Sequence, residues 1–197
     1  TYLFYLDENG DLYAWGDNRN GVLGLNSTQA TVTTPTLVRG DVAKVATTNS
    51  SDFENGNTAW MTAILTKDGK LYTVGANSFG LLGRGGTTAS TRLGLVSFNG
   101  IIVDVSVGHD HMLILDDQGT LWGVGNNAYG QLGSTAGSSS QTFVRIADHV
   151  SLISAGRRTT VYVDENGNLF GLGDNRWNKM IAGVSDRLTK PTLLLEN

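Results

Sequence analysis

One segment recurs four times along this chain, and its spacing limits the possible folds more than any other feature. Each copy is an apolar stretch that alternates with period two and ends on a glycine, at Gly16, Gly75, Gly125 and Gly173. These glycines lie 59, 50 and 48 residues apart. Alternation with period two is typical of β-strands. An internal repeat of roughly 50 residues with strand patterning predicts propeller-like blades.

Each copy also contains a predicted β-hairpin. A second apolar stretch precedes the alternating one, and a short polar link such as Asn9-Gly10 or Asp68-Gly69 joins the two. Asn-Gly and Asp-Gly tolerate the positive φ angles that tight hairpin turns require. The four stretches that precede the links are Tyr2–Leu6, Ala59–Leu65, Met112–Leu115 and Thr160–Val163.

Two further strands are predicted in the repeat, which gives the four strands of one propeller blade. After a polar turn with an asparagine and paired glycines comes a strand led by Pro or Thr, as in Thr34–Val38 and Lys190–Leu195. Proline is tolerated at the first residue of a strand, so Pro35 and Pro191 are expected near strand starts. The last strand is short, as in Ile102–Val105.

Composition narrows the function classes. The 197 residues include no cysteine, which excludes disulfides, thiolate nucleophiles and Cys-ligated zinc. The formal net charge is −4, and the 14 Lys and Arg residues are scattered along the sequence with one adjacent pair, Arg157-Arg158. We therefore expect no nucleic-acid partner. No apolar run approaches the ~18 residues of a membrane span, so no membrane insertion is expected.

The third copy resembles a known repeat family. Residues 103–111 read Val-Asp-Val-Ser-Val-Gly-His-Asp-His, and residues 116–133 continue through Gly-Thr-Leu-Trp-Gly-Val-Gly to Gly-Gln-Leu-Gly. This phrase resembles the RCC1 (regulator of chromosome condensation) repeat. The first copy shares Trp15-Gly16, the second shares the glycines, and the fourth lacks the Gly-Gln-Leu-Gly. The resemblance covers nearly the whole chain and implies a β-propeller, which in this family has seven blades as a rule.

The predicted fold is therefore all-β: an RCC1-like β-propeller or partial propeller with four four-stranded blades, one strand short of four complete blades. We interpret the chain as one repeat domain, with repeats at about 1–41, 42–100, 101–149 and 150–197. The first repeat lacks the short strand that precedes each other hairpin. Three explanations stay open: the chain is a fragment of a longer propeller, a partner supplies the strand, or the structure is an open arc with unpaired edges.

No catalytic constellation, cofactor motif or metal-binding motif emerges from the sequence, so we predict a non-enzymatic protein without cofactors. His109 and His111 could face a metal from one strand, but the resemblance places His111 at a structural position of the repeat. The acidic hairpin turns lack the Asp-x-Asp-x-Asp-Gly run of a calcium loop.

Departures from the repeat indicate candidate partner-binding residues. The second repeat carries an insertion at about 47–57, with Asp52, Phe53 and Glu54 at its centre. In the fourth repeat, Arg157 and Arg158 replace the middle of the Gly-x-x-His phrase, and Arg176, Trp177 and Lys179 lie in the altered turn. Trp and Arg are enriched at protein-interaction hot spots.

Three functional hypotheses follow. The first is a protein-interaction or structural scaffold module that binds a protein partner or self-assembles, for example as a surface, secreted or virion component. The second, implied by the resemblance, is a guanine-nucleotide exchange factor or GTPase-binding effector, with the 47–57 insertion as a wedge. The third is a protein inhibitor that plugs an enzyme's active site with propeller loops. The sequence does not indicate a cellular location.

Overall fold

The computed structural model describes residues 1–48 and 60–197. These residues form four antiparallel sheets, and each sheet uses strands that are consecutive along the chain. The first sheet has three strands and the other three have four strands each. The prediction of four blades with one strand missing from the first is therefore confirmed, and the described residues contain no α-helix.

The strands follow the predicted hairpins. The first sheet contains β1 (Tyr2–Leu6), β2 (Leu12–Asp17) and β3 (Thr31–Arg39). The second contains β4 (Val42–Thr47), β5 (Met61–Thr66), β6 (Leu71–Gly75) and β7 (Ser90–Leu95). The third contains β8 (Ile102–Val107), β9 (His111–Asp116), β10 (Leu121–Asn126) and β11 (Ser139–Ala147). The fourth contains β12 (Val150–Ala155), β13 (Thr159–Asp164), β14 (Leu169–Asp174) and β15 (Arg187–Leu195).

The two prolines contradict one detail of the prediction. Pro35 and Pro191 lie inside β3 and β15 rather than at their starts. Each proline lies at a shift in the pairing register of two strands. In the first sheet the shift lies between the pairs Ala14–Thr36 and Gly16–Val32. In the fourth sheet it lies between the pairs Gly171–Thr192 and Gly173–Leu188. A β-bulge leaves a residue out of the hydrogen-bonded ladder, so proline's missing N–H removes no ladder bond there.

The core lies between neighbouring sheets rather than within one. Leu12 of the first sheet packs with Val42 and Ile64 of the second, and all three are almost completely buried. Between the third and fourth sheets, Leu113 and Leu121 pack with Leu172 in the same way. Complete burial of one such side chain stabilises the fold by about 1.5–3 kcal/mol. Neighbouring sheets therefore stabilise one another.

Threonine hydroxyls add polar contacts across two of these boundaries. Thr62 in β5 donates a hydrogen bond to the carbonyl of Val22 in the first repeat, at 2.7 Å. Thr160 in β13 donates to the carbonyl of Gln131 in the third repeat, also at 2.7 Å. Both threonines are completely buried and occupy the same position of the repeat. Their hydrogen bonds satisfy polar groups that would otherwise be costly to bury.

One buried asparagine per repeat closes the loop that follows the alternating strand. In the third repeat, Asn127 Oδ1 accepts the amide of Leu132 at 2.7 Å, and its Nδ2 donates to the carbonyls of Gly133 and Gly137. The fourth repeat keeps this arrangement although it has lost the Gly-Gln-Leu-Gly phrase, because Asn175 accepts the amides of Met180 and Ile181. The equivalent residues in the first two repeats are Asn18 and Asn77.

Candidate functional site

Basic and aromatic side chains gather where the third sheet meets the fourth. We call this group the basic–aromatic cluster and define it as Tyr129, Arg157, Arg158, Arg176, Trp177, Lys179 and Arg187. Most of its residues lie in the turns that follow β12 and β14, which emerge at the same end of the fourth sheet. A groove of about 350 Å³ is lined by Arg157, Arg158, Asp174, Arg176, Trp177 and Lys179.

Asp174 at the end of β14 orients two of the cations. Its carboxylate is 2% exposed and accepts hydrogen bonds from Arg176 Nε at 2.9 Å and Nη2 at 2.8 Å. Lys179 Nζ lies 2.9 Å from the same carboxylate. The Arg176 guanidinium is the main reason that the pKa of Asp174 lies well below its usual range, and Lys179 lowers it further. Two-point contact with a carboxylate holds a guanidinium in a defined orientation.

Tyr129 brings three arginines together from other parts of the fold. Its ring centroid lies 4.8 Å from the guanidinium carbon of Arg158, 4.9 Å from that of Arg176 and 5.9 Å from that of Arg187. All three distances are within the roughly 6 Å range of a cation–π contact. Because Tyr129 belongs to the third repeat and the arginines belong to the fourth, the cluster depends on the packing of the two sheets.

Trp177 is the most exposed large apolar side chain described, at 85% of its full accessible area. It lies in a short 3₁₀ turn, Arg176–Asn178, with φ at +60°. Asn20 and Phe79 occupy the same repeat position and share this left-handed conformation. The guanidinium of Arg176 lies 5.3 Å from the Trp177 ring centroid. The turn therefore presents an indole to solvent beside a fixed cation.

The structure places five of the candidate partner-binding residues next to one another. It brings Arg157, Arg158, Arg176, Trp177 and Lys179 around one groove. Asp52, Phe53 and Glu54 lie outside the described residues. Sequence reasoning missed Tyr129 and Arg187. The Arg187 signal was weak, because this residue is ten positions from Trp177, at the start of β15, and belongs to no motif.

The histidine pair is part of the buried structure around β9. His111 is completely buried, and its Nε2 lies 3.1 Å from Thr160 Oγ1 in the fourth sheet. Asp110 between the two histidines accepts a hydrogen bond from Asn126 Nδ2 at 2.7 Å. Across residues 1–48 and 60–197, no group of three His, Asp or Glu side chains is arranged to hold a metal ion. In that same part of the chain, no helix has the length and apolar character needed to cross a membrane.

Comparison with protein-family models identifies the repeat. Two models match, and both are described as the regulator of chromosome condensation (RCC1) repeat. One covers residues 9–50 and 68–115, and the other covers residues 102–131. Together they span parts of the first, second and third repeats, including the phrase that carries the resemblance in the sequence.

Individual relatives agree with these matches. The chain is 34% identical over 126 residues to a Danio rerio protein named Protein RCC2 homolog, covering 63% of this chain and 24% of that protein. It is 30% identical over 135 residues to the X-linked retinitis pigmentosa GTPase regulator homolog of Caenorhabditis elegans. This match covers 67% of this chain and 9% of that protein. The chain thus spans less than a third of each of these relatives.

A solved structure shows the same fold. The crystal structure of human WBSCR16 superposes with a TM-score of 0.80 at 21% sequence identity. The match covers 98% of this chain and 52% of that one. The four sheets therefore correspond to about half of a longer structure of the same kind.

Proposed function

Because the chain belongs to the RCC1 (regulator of chromosome condensation) repeat family, we propose that it is a non-enzymatic protein-interaction module that binds an acidic partner segment through the basic–aromatic cluster. The exposed Trp177 beside the cation Arg176 carries this proposal. Trp177 is the most exposed large apolar side chain described, and its indole lies beside a cation rather than alone.

The energetics favour Trp177 as an anchor for a partner. An aromatic side chain of this size buries about 150–250 Å² in an interface, which corresponds to a gross gain of about 4–6 kcal/mol. The backbone of the turn that carries Trp177 is held before binding, because Asn175 accepts the amides of Met180 and Ile181. Pre-organisation reduces the entropy lost on binding. Hot spots in protein interfaces commonly combine Trp with Arg.

The charges define the partner's chemistry. The cluster contains four arginines and Lys179, while Asp174 already interacts with Arg176 and Lys179. This gives the cluster a locally positive surface on a chain whose formal net charge is −4. An Asp- or Glu-rich segment of a partner protein would be attracted to the cluster.

A peptide titration tests this proposal. The probe is a dodecapeptide of Glu with one central Leu, and its matched control replaces each Glu with Lys. We expect the Glu peptide to bind with a Kd on the order of 1 mM and to shift the NMR side-chain signals of Trp177 and Arg176. Raising the salt concentration should weaken binding because the contacting charges are exposed.

Matched variants locate the binding surface. Trp177→Ala and Lys179→Ala should each weaken binding at least about threefold, while Lys190→Ala, on an exposed part of β15, should leave it unchanged. The proposal would be refuted if the Lys peptide bound as tightly as the Glu peptide. It would also be refuted if Lys179→Ala and Lys190→Ala changed the affinity for the Glu peptide equally. Tighter binding of a thymidine dodecanucleotide to the same residues would instead identify a nucleic-acid site.

A second candidate function is regulation of a small GTPase. The observation that favours it is the name of the Caenorhabditis elegans relative, a GTPase regulator homolog. We would measure release of fluorescent GDP from a panel of small GTPases with and without the chain. Acceleration that is lost in Asp52→Ala and Glu54→Ala would support a wedge in the 47–57 insertion. Unchanged release across the panel would argue against exchange activity.

A further inference from the structure

Two arginines flank Asp174 on the face of the fourth sheet that is turned toward the third repeat. The amide of Asp174 donates to the carbonyl of Arg158 at 2.9 Å, and on its other side Asp174 pairs with Arg187 of β15. Opposite residues of antiparallel strands project from one face of a sheet, as do residues two positions apart in a strand. Thr160 and Leu172, two positions from Arg158 and Asp174, contact the third repeat. The two arginines therefore project into the boundary between the third and fourth repeats.

The side chains of these two arginines converge on one aromatic ring of the third repeat. The guanidinium carbons of Arg158 and Arg187 lie 4.8 Å and 5.9 Å from the ring centroid of Tyr129. Within residues 1–48 and 60–197, neither guanidinium forms an ion pair with a carboxylate or donates a hydrogen bond. The third arginine at the ring, Arg176, differs because Asp174 holds it. The donors of Arg158 and Arg187 are therefore available to a ligand.

Positive charge is in excess at this boundary. Arg176 and Lys179 share the carboxylate of Asp174, so that negative charge is already balanced. The carboxylate of Asp186 also acts on Arg176. Arg158 and Arg187 are thus two like charges held near one ring, and like charges at short range repel each other. An anion that contacts both guanidiniums would relieve this repulsion.

The fold does not require arginine at either position, as the other repeats show. One carbonyl in each repeat accepts the amide of the residue that follows the repeat glycine, and it belongs to Thr1, Trp60, Asp110 and Arg158 in turn. The position of Arg187 is occupied by Thr31 in the first repeat and by Ser139 in the third. None of these counterparts has a basic side chain. The two arginines are therefore specific to the fourth repeat and contribute to its surface rather than to its sheet.

We propose that Arg158 and Arg187 together bind the phosphate group of a phosphoserine in the acidic partner segment. This inference rests on the proposed function, because it concerns the same basic–aromatic cluster and specifies what the partner carries. A phosphoserine has a charge of about −1.5 to −2 at pH 7 and three strong acceptor oxygens. It accepts hydrogen bonds from both guanidiniums at once and balances both charges. Arginine forms such two-point contacts with phosphate more readily than lysine does.

A carboxylate fits this pair of arginines less well than a phosphate does. The contact between Asp174 and Arg176 shows why, because Nε donates to one carboxylate oxygen and Nη2 to the other. One guanidinium thus engages both oxygens of a carboxylate, which has a single negative charge. A glutamate bound to Arg158 would leave Arg187 without a counter-charge. Phosphorylation of the partner is therefore a switch that strengthens its binding to the cluster.

The test uses the Glu dodecapeptide described above, with its central Leu replaced by phosphoserine, by serine or by Glu. We expect the phosphoserine peptide to bind about tenfold more tightly than the peptide with a central Glu. Fluorescence anisotropy measures the affinities. The ³¹P NMR signal of the phosphate should shift on binding. An equal concentration of inorganic phosphate should not displace the peptide, because the flanking Glu residues contribute to its affinity.

Protein variants locate the phosphate. Arg158→Gln and Arg187→Gln should each reduce the preference for phosphoserine over Glu to about twofold or less, whereas Arg92→Gln, the same change on exposed β7, should leave it unchanged. Tyr129→Leu should also reduce the preference, because it removes the ring that gathers the arginines. Tyr129→Phe should preserve it, because the ring face remains. Circular dichroism verifies that each variant is folded.

The outcomes separate this inference from the proposed function. If the phosphoserine and Glu peptides bind equally well, the inference is wrong and the proposed function stands. If neither peptide binds, both are wrong. A preference for phosphoserine that survives in Arg158→Gln and Arg187→Gln would also overturn the inference. Displacement of the peptide by an equal concentration of inorganic phosphate would do the same, since free phosphate would then be the ligand.

Discussion

His111 in the third sheet donates its Nε2–H to the hydroxyl of Thr160 in the fourth, across 3.1 Å. A second hydrogen bond sets the direction of the first. The Thr160 hydroxyl donates its only proton to the carbonyl of Gln131 at 2.7 Å, since a carbonyl can only accept. The Thr160 oxygen must therefore accept from the imidazole. This assigns a neutral His111 with its proton on Nε2, as a completely buried group in a largely apolar boundary requires.

The neutral imidazole predicts a stability change in mild acid. Burial lowers the pKa of His111 from 6.5 to about 4, with Asp110 opposing the shift and His109 adding to it. Between about pH 4 and pH 6.5, His111 therefore binds a proton in the unfolded chain but not in the folded one. Stability is therefore fully present above about pH 6.5 and falls as the pH approaches 4, by roughly 2 kcal/mol for this group. Urea unfolding between pH 7 and pH 4.5 measures the change.

The control for this pH dependence is His111→Gln. Its stability at pH 7 should be lower than that of the wild type, because an inter-sheet hydrogen bond is altered. Its decline with acid should be shallower, since the remaining groups titrate in both proteins. Parallel pH profiles for the two proteins would contradict the assignment of His111.

The two repeat threonines should differ in their contribution to stability. Thr62 and Thr160 each donate to a carbonyl of the preceding repeat, but the described contacts give Thr160 the additional bond from His111. We expect Thr160→Val to destabilise the fold more than Thr62→Val, by about 1 kcal/mol. Chemical denaturation of both variants measures this difference. Equal losses would show that the histidine bond adds nothing.

Gly125 should be far less tolerant of substitution than Gly137. A Cβ atom at Gly125 would lie 2.5 Å from the carbonyl oxygen of Asp110, and φ is +107°. Gly137 also has positive φ, at +62°, but a Cβ there meets nothing within 4 Å. Gly137→Ala should cost about 1 kcal/mol, from backbone strain alone, and Gly125→Ala about 3 kcal/mol or more. Thermal unfolding compares them, and similar losses would contradict the close-approach argument.

The local repeat predicted the sheets well, because strand alternation and turn glycines depend on residues close in sequence. Gly10 and Gly69 adopt positive φ in the hairpin turns, as the Asn-Gly and Asp-Gly links predicted. The position of Pro35 was predicted wrongly, because the strand continues through a bulge that no local pattern reveals. The bulge depends on how β3 pairs with β2, which is a contact between segments that are distant in the sequence.

The candidate site was predictable only in part. The altered turn with Trp177 and the pair Arg157-Arg158 were visible as departures from the repeat, and the structure places them around one groove. The role of Tyr129 was not visible, because its three arginine contacts come from segments that meet only when the third and fourth sheets pack. Contacts across a sheet boundary depend on the relative rotation of the sheets.

The threonine bonds between consecutive sheets have a consequence for how such chains change in length. Each connects a repeat only to the one before it, and the apolar core is likewise divided between adjacent sheets. Stability in arrays of this kind is approximately a sum of unit and nearest-neighbour terms. Duplication or deletion of one whole repeat therefore recreates boundaries of the same type, whereas an insertion of half a repeat breaks them. We therefore expect the whole repeat to be the unit by which such chains lengthen or shorten.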